Sequence, residues 1–323
     1  MAVPTIDISA FLKQGDEDGK SKAIRQITEA CCEYGFFQIM NHEVSLELME
    51  RCLDLSRTFF NSSDEEKQKS SPRFDGPLPA GYSRQPSHSP DKNEYLLVFP
   101  PGSDFNVYPQ NPPRFREAME EVFEELKKVG MLLEGIINEC LGMPPDVLKE
   151  FNDDRSWDFM VALRYFPASE SEDNGITEHE DGNCFSFVIP DQVGGLQVRH
   201  DGAWIPVVPT PGTIVFNIAD VIQKIGFDCV ETWKVLSNEK FKSGTHRVVR
   251  TKGKSRYSLV FFYNLHGDKW VEPLAQFTKE AGEAPKYRGF VYKDYQQLRV
   301  RNKTHPPPCP QDAINISHYA ITH

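Results

Sequence analysis

The sequence predicts an α+β fold, with helices dominating its first half and a β-sandwich or barrel in its second. Three observations carry this. Up to about residue 141, apolar residues recur at helical spacing. From Trp157 onward, short runs rich in β-branched and aromatic residues take over. Turn signals such as Asp201-Gly202 separate those runs.

Ile6 to Phe11 reads as a short strand running into a turn. A helix follows from about Gly19 to Tyr34, with Ile24, Ile27 and Ala30-Cys31 on one face. Gly35 to His42 is an apolar strand that ends in polar residues. A second helix spans Ser45 to Phe60, with Leu48, Cys52, Leu55 and Phe59 as its buried stripe. Ser63 or Asp64 is placed to cap the turn at Glu65-Glu66-Lys67. From Ser70 to Pro113 the chain is rich in Pro, Gly, Ser and aromatics, with short strands at Gly81-Tyr82 and Asn93-Glu94-Tyr95. A loop-rich stretch this long commonly serves function.

The longest helix runs from Pro113 to Leu141, with Phe115, Met119, Val122, Leu126, Leu133 and Ile137 at helical intervals, and stops at Gly142. Strands are expected at Phe159–Phe166, Cys184–Ile189, Gly195–Arg199, Ala203–Val208, Thr213–Ile218, Thr245–Arg250 and Arg256–Tyr263. The chain thus divides into an N-terminal region (1–110), a bracing helix (111–150), a β core (151–300) and a tail (301–323). That tail, with Pro306-Pro307-Pro308, is expected to be largely extended.

The chemistry concentrates at His179-Glu180-Asp181. Two-residue alternation on a strand puts His179 and Asp181 on one face. His246, opening His-Arg-Val-Val, is the best third donor. Two imidazoles and one carboxylate leave several coordination positions open, the pattern of non-haem Fe(II) oxygenases. Ten residues on, Arg256-Tyr257-Ser258 sets a guanidinium fork beside a hydroxyl, suited to the far carboxylate of a dicarboxylic acid that also chelates the metal.

These motifs, in this order, resemble the plant-type 2-oxoglutarate- and Fe(II)-dependent dioxygenases, the isopenicillin N synthase-like family of flavonoid, gibberellin and alkaloid hydroxylases. The resemblance runs from Ile6-Asp7-Ile8 to about Asp294. It implies a double-stranded β-helix (jelly-roll) core. It also implies Fe(II) on His179, Asp181 and His246, 2-oxoglutarate on Arg256 and Ser258, and ascorbate as a candidate reductant. Dioxygen would oxidise a small, largely apolar metabolite by hydroxylation, desaturation or demethylation, with release of succinate and CO2. Phe185, Phe187, Phe262 and Tyr263 are candidate pocket residues. His42 resembles a structural histidine of the family, not a ligand.

The chain departs from the family pattern in three places. Glu43 replaces the glycine of Asn-His-Gly. Arg164-Tyr165-Phe166-Pro167 stands where the family has Asn-Tyr-Tyr-Pro, so Tyr165 is a candidate for the missing tyrosine hydroxyl. Arg164 could serve the oxo acid, a substrate carboxylate or a surface salt bridge. Residues 224–234 interrupt the approach to His246 and read as a splice-derived or gene-model insertion. If that insertion displaces His246, the barrel would bind a small molecule without turnover. A further alternative is an ascorbate-dependent, ethylene-forming type of oxidase.

Composition narrows the partners. The 323 residues carry a net charge of −11, which argues against nucleic acid or an anionic membrane surface. No apolar run is long enough to span a bilayer. Met1-Ala2-Val3-Pro4 lacks a secretory pattern, so a cytoplasmic protein, acting as a monomer, is expected. Seven scattered cysteines without a C-x-x-C pair support neither a zinc ribbon nor a disulfide framework.

Overall fold

In a β-strand, neighbouring side chains point to opposite faces, so one sheet can serve two different environments. This fold is built on that property. The computed structural model describes residues 2–73, 78–144, 146–221, 244–275, 278–304, 307 and 312–321. Its larger sheet has eight strands. In chain order they are β1 (Thr5–Asp7), β2 (Phe36–Met40), β3 (Gly81–Arg84), β4 (Asn93–Val98), β5 (Phe159–Tyr165), β7 (Phe185–Pro190), β10 (Ile214–Ile218) and β12 (Arg256–Tyr263). Their spatial order is β1-β2-β10-β7-β12-β5-β4-β3, and β1–β2 is parallel. The smaller sheet is ordered β6 (Asn174–His179), β11 (His246–Val249), β8 (Leu196–His200), β9 (Ala203–Pro206). A two-stranded pair, β13 (Trp270–Val271) and β14 (Phe290–Val291), completes the strands.

Three helices, α1 (Glu17–Glu33), α2 (Leu46–Phe60) and α4 (Phe115–Cys140), cover one face of the larger sheet. Phe123, Leu126 and Leu133 of α4 share that core with Phe185, Phe187, Phe216, Phe261 and Tyr263 of the strands. The other face packs Leu97, Val161, Leu163 and Val260 against Leu196, Val198, Ile205 and Val248 of the smaller sheet and its edge. The result is a jelly roll with two apolar cores separated by one sheet.

Local chemistry sets the helix ends. Asp16, Ser45 and Ser63 each accept a backbone N–H of the following turn, so Ser63 rather than Asp64 caps α3 (Asp64–Gln68). The turn after β2 survives the loss of glycine, with Glu43 itself adopting φ 65°. His42 is buried there, accepting from Val44 N–H and donating to Gly212 O, a structural role.

Two expectations need correction. The strand expected to carry both His179 and Asp181 ends at His179, so Asp181 lies in the turn beyond it. The tail is not largely extended over its described residues, 301–304, 307 and 312–321, while Pro306 and Pro308 lie outside them. A fifth helix, α5, runs Tyr292–Thr304, and a 3-10 turn at Ile316–Tyr319 buries Ile316 and packs Tyr319 against Phe290 and Tyr295. Apolar side chains in the tail find a core that a proline-rich reading overlooks. The insertion at 224–234 lies outside the described residues.

Candidate active site

The site begins with strand pairing. His246 on β11 is the direct antiparallel partner of His179 on β6, which brings their ring centroids to 4.2 Å. His179 Nδ1 lies 2.8 Å from Thr177 O, and His246 Nδ1 lies 2.7 Å from Gly244 O. A carbonyl can only accept, so each Nδ1 carries the proton and each Nε2 turns its lone pair inward. The two Nε2 atoms lie 3.7 and 4.0 Å from Asp181 Oδ1. Donor atoms of all three residues fall within 4.8 Å of one another, a spacing that could hold one metal ion. His246 is therefore in place, and the expectation that the insertion displaces it is not met.

Asp181 is fixed from behind. Its Oδ2 accepts from Ser186 Oγ at 2.8 Å and Asn217 Nδ2 at 3.1 Å. Those donors are cross-strand partners on β7 and β10. Burial disfavours the ionised carboxyl, but His246 and His179 in their protonated forms, together with these hydrogen bonds, outweigh it and hold its pKa below the usual carboxylate range. Gly244 precedes the His246 strand because a Cβ there would stand 2.0 Å from the Phe36 ring, which meets His246 edge-on.

A cavity of about 220 Å³ opens from this cluster between the two sheets. At its inner wall Arg256 is buried, its guanidinium 4.9 Å from the Tyr165 ring centre. Arg256 Nη1 donates to Ser258 Oγ at 3.2 Å, while its Nε meets no partner among the described residues. Tyr165 lies beside the same pair, and burial raises the pKa of its hydroxyl. A buried guanidinium with an unsatisfied donor is expensive unless something anionic completes it. The geometry fits a carboxylate of 2-oxoglutarate arriving from the cavity. The donor set fits Fe(II): two imidazoles and one carboxylate, with positions left open.

Of the four aromatic pocket candidates, Phe262 alone lines the cavity, stacked on Phe159. Phe185, Phe187 and Tyr263 belong to the helix-side core. Alternation decides this: with Arg256, Ser258, Val260 and Phe262 facing inward, Tyr257, Leu259, Phe261 and Tyr263 must face the helices. Tyr263 accordingly donates to Glu134 of α4 at 2.6 Å. Arg164 is displaced for the same reason, because its neighbour Tyr165 faces the cavity. It pairs instead with the buried Glu94 at 3.1 Å, a carboxylate that also holds Lys67, Arg84 and Tyr82. Arg164 is thus neither a cosubstrate nor a cavity residue, and its salt bridge is with a buried carboxylate.

The cavity also takes walls from Gln85, Asn93 and Tyr95, in the loop-rich stretch from Ser70 to Pro113 that the sequence marks as functional, and from Gln296, Arg299 and Val300 of α5, which the sequence reading missed. Period-two spacing of Asn93, Tyr95 and Leu97 on β4 was an available signal. For α5 the signal was Tyr292, Tyr295, Gln296 and Arg299 at helical spacing.

Comparison with known proteins agrees with this geometry. Residues 157–265 match the model of the 2OG-Fe(II) oxygenase superfamily, and residues 3–113 match that of the non-haem dioxygenase in morphine synthesis N-terminal region. The chain is 34% identical to jasmonate-induced oxygenase 1 of Arabidopsis thaliana, over 91% of this chain and 71% of that one. It is 32% identical to a 1-aminocyclopropane-1-carboxylate oxidase of Musa acuminata, over 95% and 96%. Among solved structures, that of JOX2 in complex with 2OG, Fe and JA superposes with a TM-score of 0.80 at 29% identity, covering 98% of this chain and 90% of the other. Sequence and fold together establish that this chain belongs to the plant-type 2-oxoglutarate- and Fe(II)-dependent dioxygenases.

Proposed function

We propose that the chain uses Fe(II) and 2-oxoglutarate to hydroxylate, desaturate or demethylate a small, largely apolar metabolite. His179, Asp181 and His246 would hold the metal, and Arg256, Ser258 and Tyr165 the far carboxylate of the 2-oxo acid. The observation that carries this reading is the single cavity shared by both groups. Three convergent donors stand near one part of its wall, and a buried arginine whose Nε is unpartnered among the described residues stands at another. Bound Fe(II) and 2-oxoglutarate supply dioxygen activation, with the 2-oxo acid leaving as succinate and CO2. The chain's own residues bind, orient and keep water out. Backbone carbonyls hold the histidine tautomers, Ser186 and Asn217 aim the Asp181 carboxylate, and Ser258 orients the Arg256 fork. Val161, Leu163, Val260 and Phe262 provide the apolar wall.

The same reading has the protein acting as a cytosolic monomer without nucleic-acid or membrane partners. The net charge of −11 argues against nucleic acid and anionic membrane surfaces, and among the described residues no helix is long and apolar enough to cross a membrane. A second reading replaces the 2-oxo acid with ascorbate, and the similarity to a 1-aminocyclopropane-1-carboxylate oxidase is the observation behind it. Omitting each cosubstrate in turn separates the two, because succinate forms only in the first.

The test is succinate release with Fe(II), 2-oxoglutarate and a metabolite panel, alongside iron content. Alanine at His179, Asp181 or His246 should abolish both succinate release and iron retention with the fold intact. Undiminished iron in any one variant removes that residue from the site.

A further inference from the structure

The turn that carries Asp181 has left β6 and lies outside any sheet ladder, yet it is pinned. All three of its peptide carbonyls, at Glu180, Asp181 and Gly182, have donors. Gln296 Nε2 donates to Gly182 O at 2.7 Å, with the Tyr292 hydroxyl 3.2 Å from the same oxygen. Arg299 donates to Glu180 O. The Asp181 carbonyl accepts from Asp220 N–H at 2.8 Å, and the Asp220 carboxylate accepts from the Tyr295 hydroxyl at 2.5 Å. Tyr292, Tyr295, Gln296 and Arg299 stand at i, i+3, i+4 and i+7, one face of α5.

Close approach of this face depends on Gly182. A Cβ there would stand 3.1 Å from Arg299 Nε and 3.4 Å from Tyr295 Cε1. α5 is itself seated by the Tyr292 hydroxyl donating to Asn264 Oδ1 at 2.6 Å, and by Tyr319 packing on Phe290 and Tyr295.

We propose that α5 is a clamp on the metal-ligand turn, with Tyr295 and Gln296 as positioning residues that hold the backbone from which Asp181 projects, while Ser186 and Asn217 aim its carboxylate. This rests on reading His179, Asp181 and His246 as the metal site. Irregular backbone needs partners for its carbonyls. Here one helix face and the Asp220 it orients supply them, so the helix dictates the turn's conformation. Partners one shell out from a metal ligand typically govern metal affinity by about 10- to 100-fold.

The experiment titrates Co(II) into the full-length protein with 2-oxoglutarate present, and follows the Co(II) absorption spectrum and thermal unfolding in parallel. Gln296→Leu should raise the Co(II) dissociation constant about 10-fold or more. Tyr295→Phe, which removes a single hydroxyl, should raise it in the same direction and decides the matter if Gln296→Leu does not fold. Leu298→Ala, a packing change on the same helix, should lower the melting temperature without moving the dissociation constant. Asp181→Ala separates the two levels of inference. If it abolishes Co(II) binding while both clamp variants stay within twofold of the parent, the clamp is wrong and the metal site stands. If Asp181→Ala binds Co(II) as tightly as the parent, the metal-site reading fails and the clamp with it.

Discussion

The two faces of β12 lie one residue apart in sequence and serve opposite purposes. Tyr257, Leu259, Phe261 and Tyr263 sink into a core closed by α4, where Phe123 meets Phe261 edge-on at 4.9 Å. Arg256, Ser258, Val260 and Phe262 face the cavity. The helix face is filled by side chains that complete one another. The cavity face holds a buried arginine whose Nε has no partner among the described residues. One face is self-sufficient, and the other is finished by what binds to it. Stability and binding should therefore separate between the two faces of the larger sheet, and substitutions can break or sharpen that separation.

The largest effect is expected on the helix face. Phe187→Ala, next to Phe185, Phe216 and Phe261, should lower unfolding free energy by about 3–5 kcal/mol. Succinate formation per folded molecule, and the apparent affinity for 2-oxoglutarate, should stay within twofold. Denaturant unfolding and steady-state kinetics on the same sample measure both. A loss of 2-oxoglutarate affinity comparable to that of a cavity-face variant would break the comparison.

Arg256→Ala should do the reverse. Losing the partner of a partly dry carboxylate typically costs about 2–5 kcal/mol, so KM for 2-oxoglutarate should rise at least ~30-fold. Stability should change far less than in Phe187→Ala, because no ion pair within the described protein is lost. An unchanged KM would mean that the carboxylate is held elsewhere.

The smallest effect tests the apolar end of the cavity. Phe262→Leu keeps an apolar side chain against Phe159 and should cost less than about 1.5 kcal/mol of stability. It should change the ranking of substrates in a metabolite panel while leaving KM for 2-oxoglutarate alone. An unchanged ranking would confine the substrate to the other walls, around Gln85, Asn93 and α5.

The sequence by itself determined the elements and the donor set. Helical periodicity located α1, α2 and α4 to within a few residues, and β-branched runs located most strands, because both periods are local properties of the chain. His179, Asp181, His246, Arg256 and Ser258 were legible for a chemical reason: few residue combinations present two imidazoles and a carboxylate with a guanidinium fork downstream. Tertiary structure alone decided which face each strand residue takes. Neighbours cannot share a face, yet Phe185, Phe187, Phe262 and Tyr263 look alike as aromatic residues, and only the packing of α4 and the smaller sheet fixes the phase of alternation. The same holds for Arg164. Its charge was visible, but its partner Glu94 is 70 residues away in sequence and opposite it on β4. α5 and the carbonyls it holds were hidden because the helix is polar, with a stripe that becomes meaningful only against the turn at Glu180–Gly182. Local patterns specify elements and chemistry; long-range contacts choose the face and the partner.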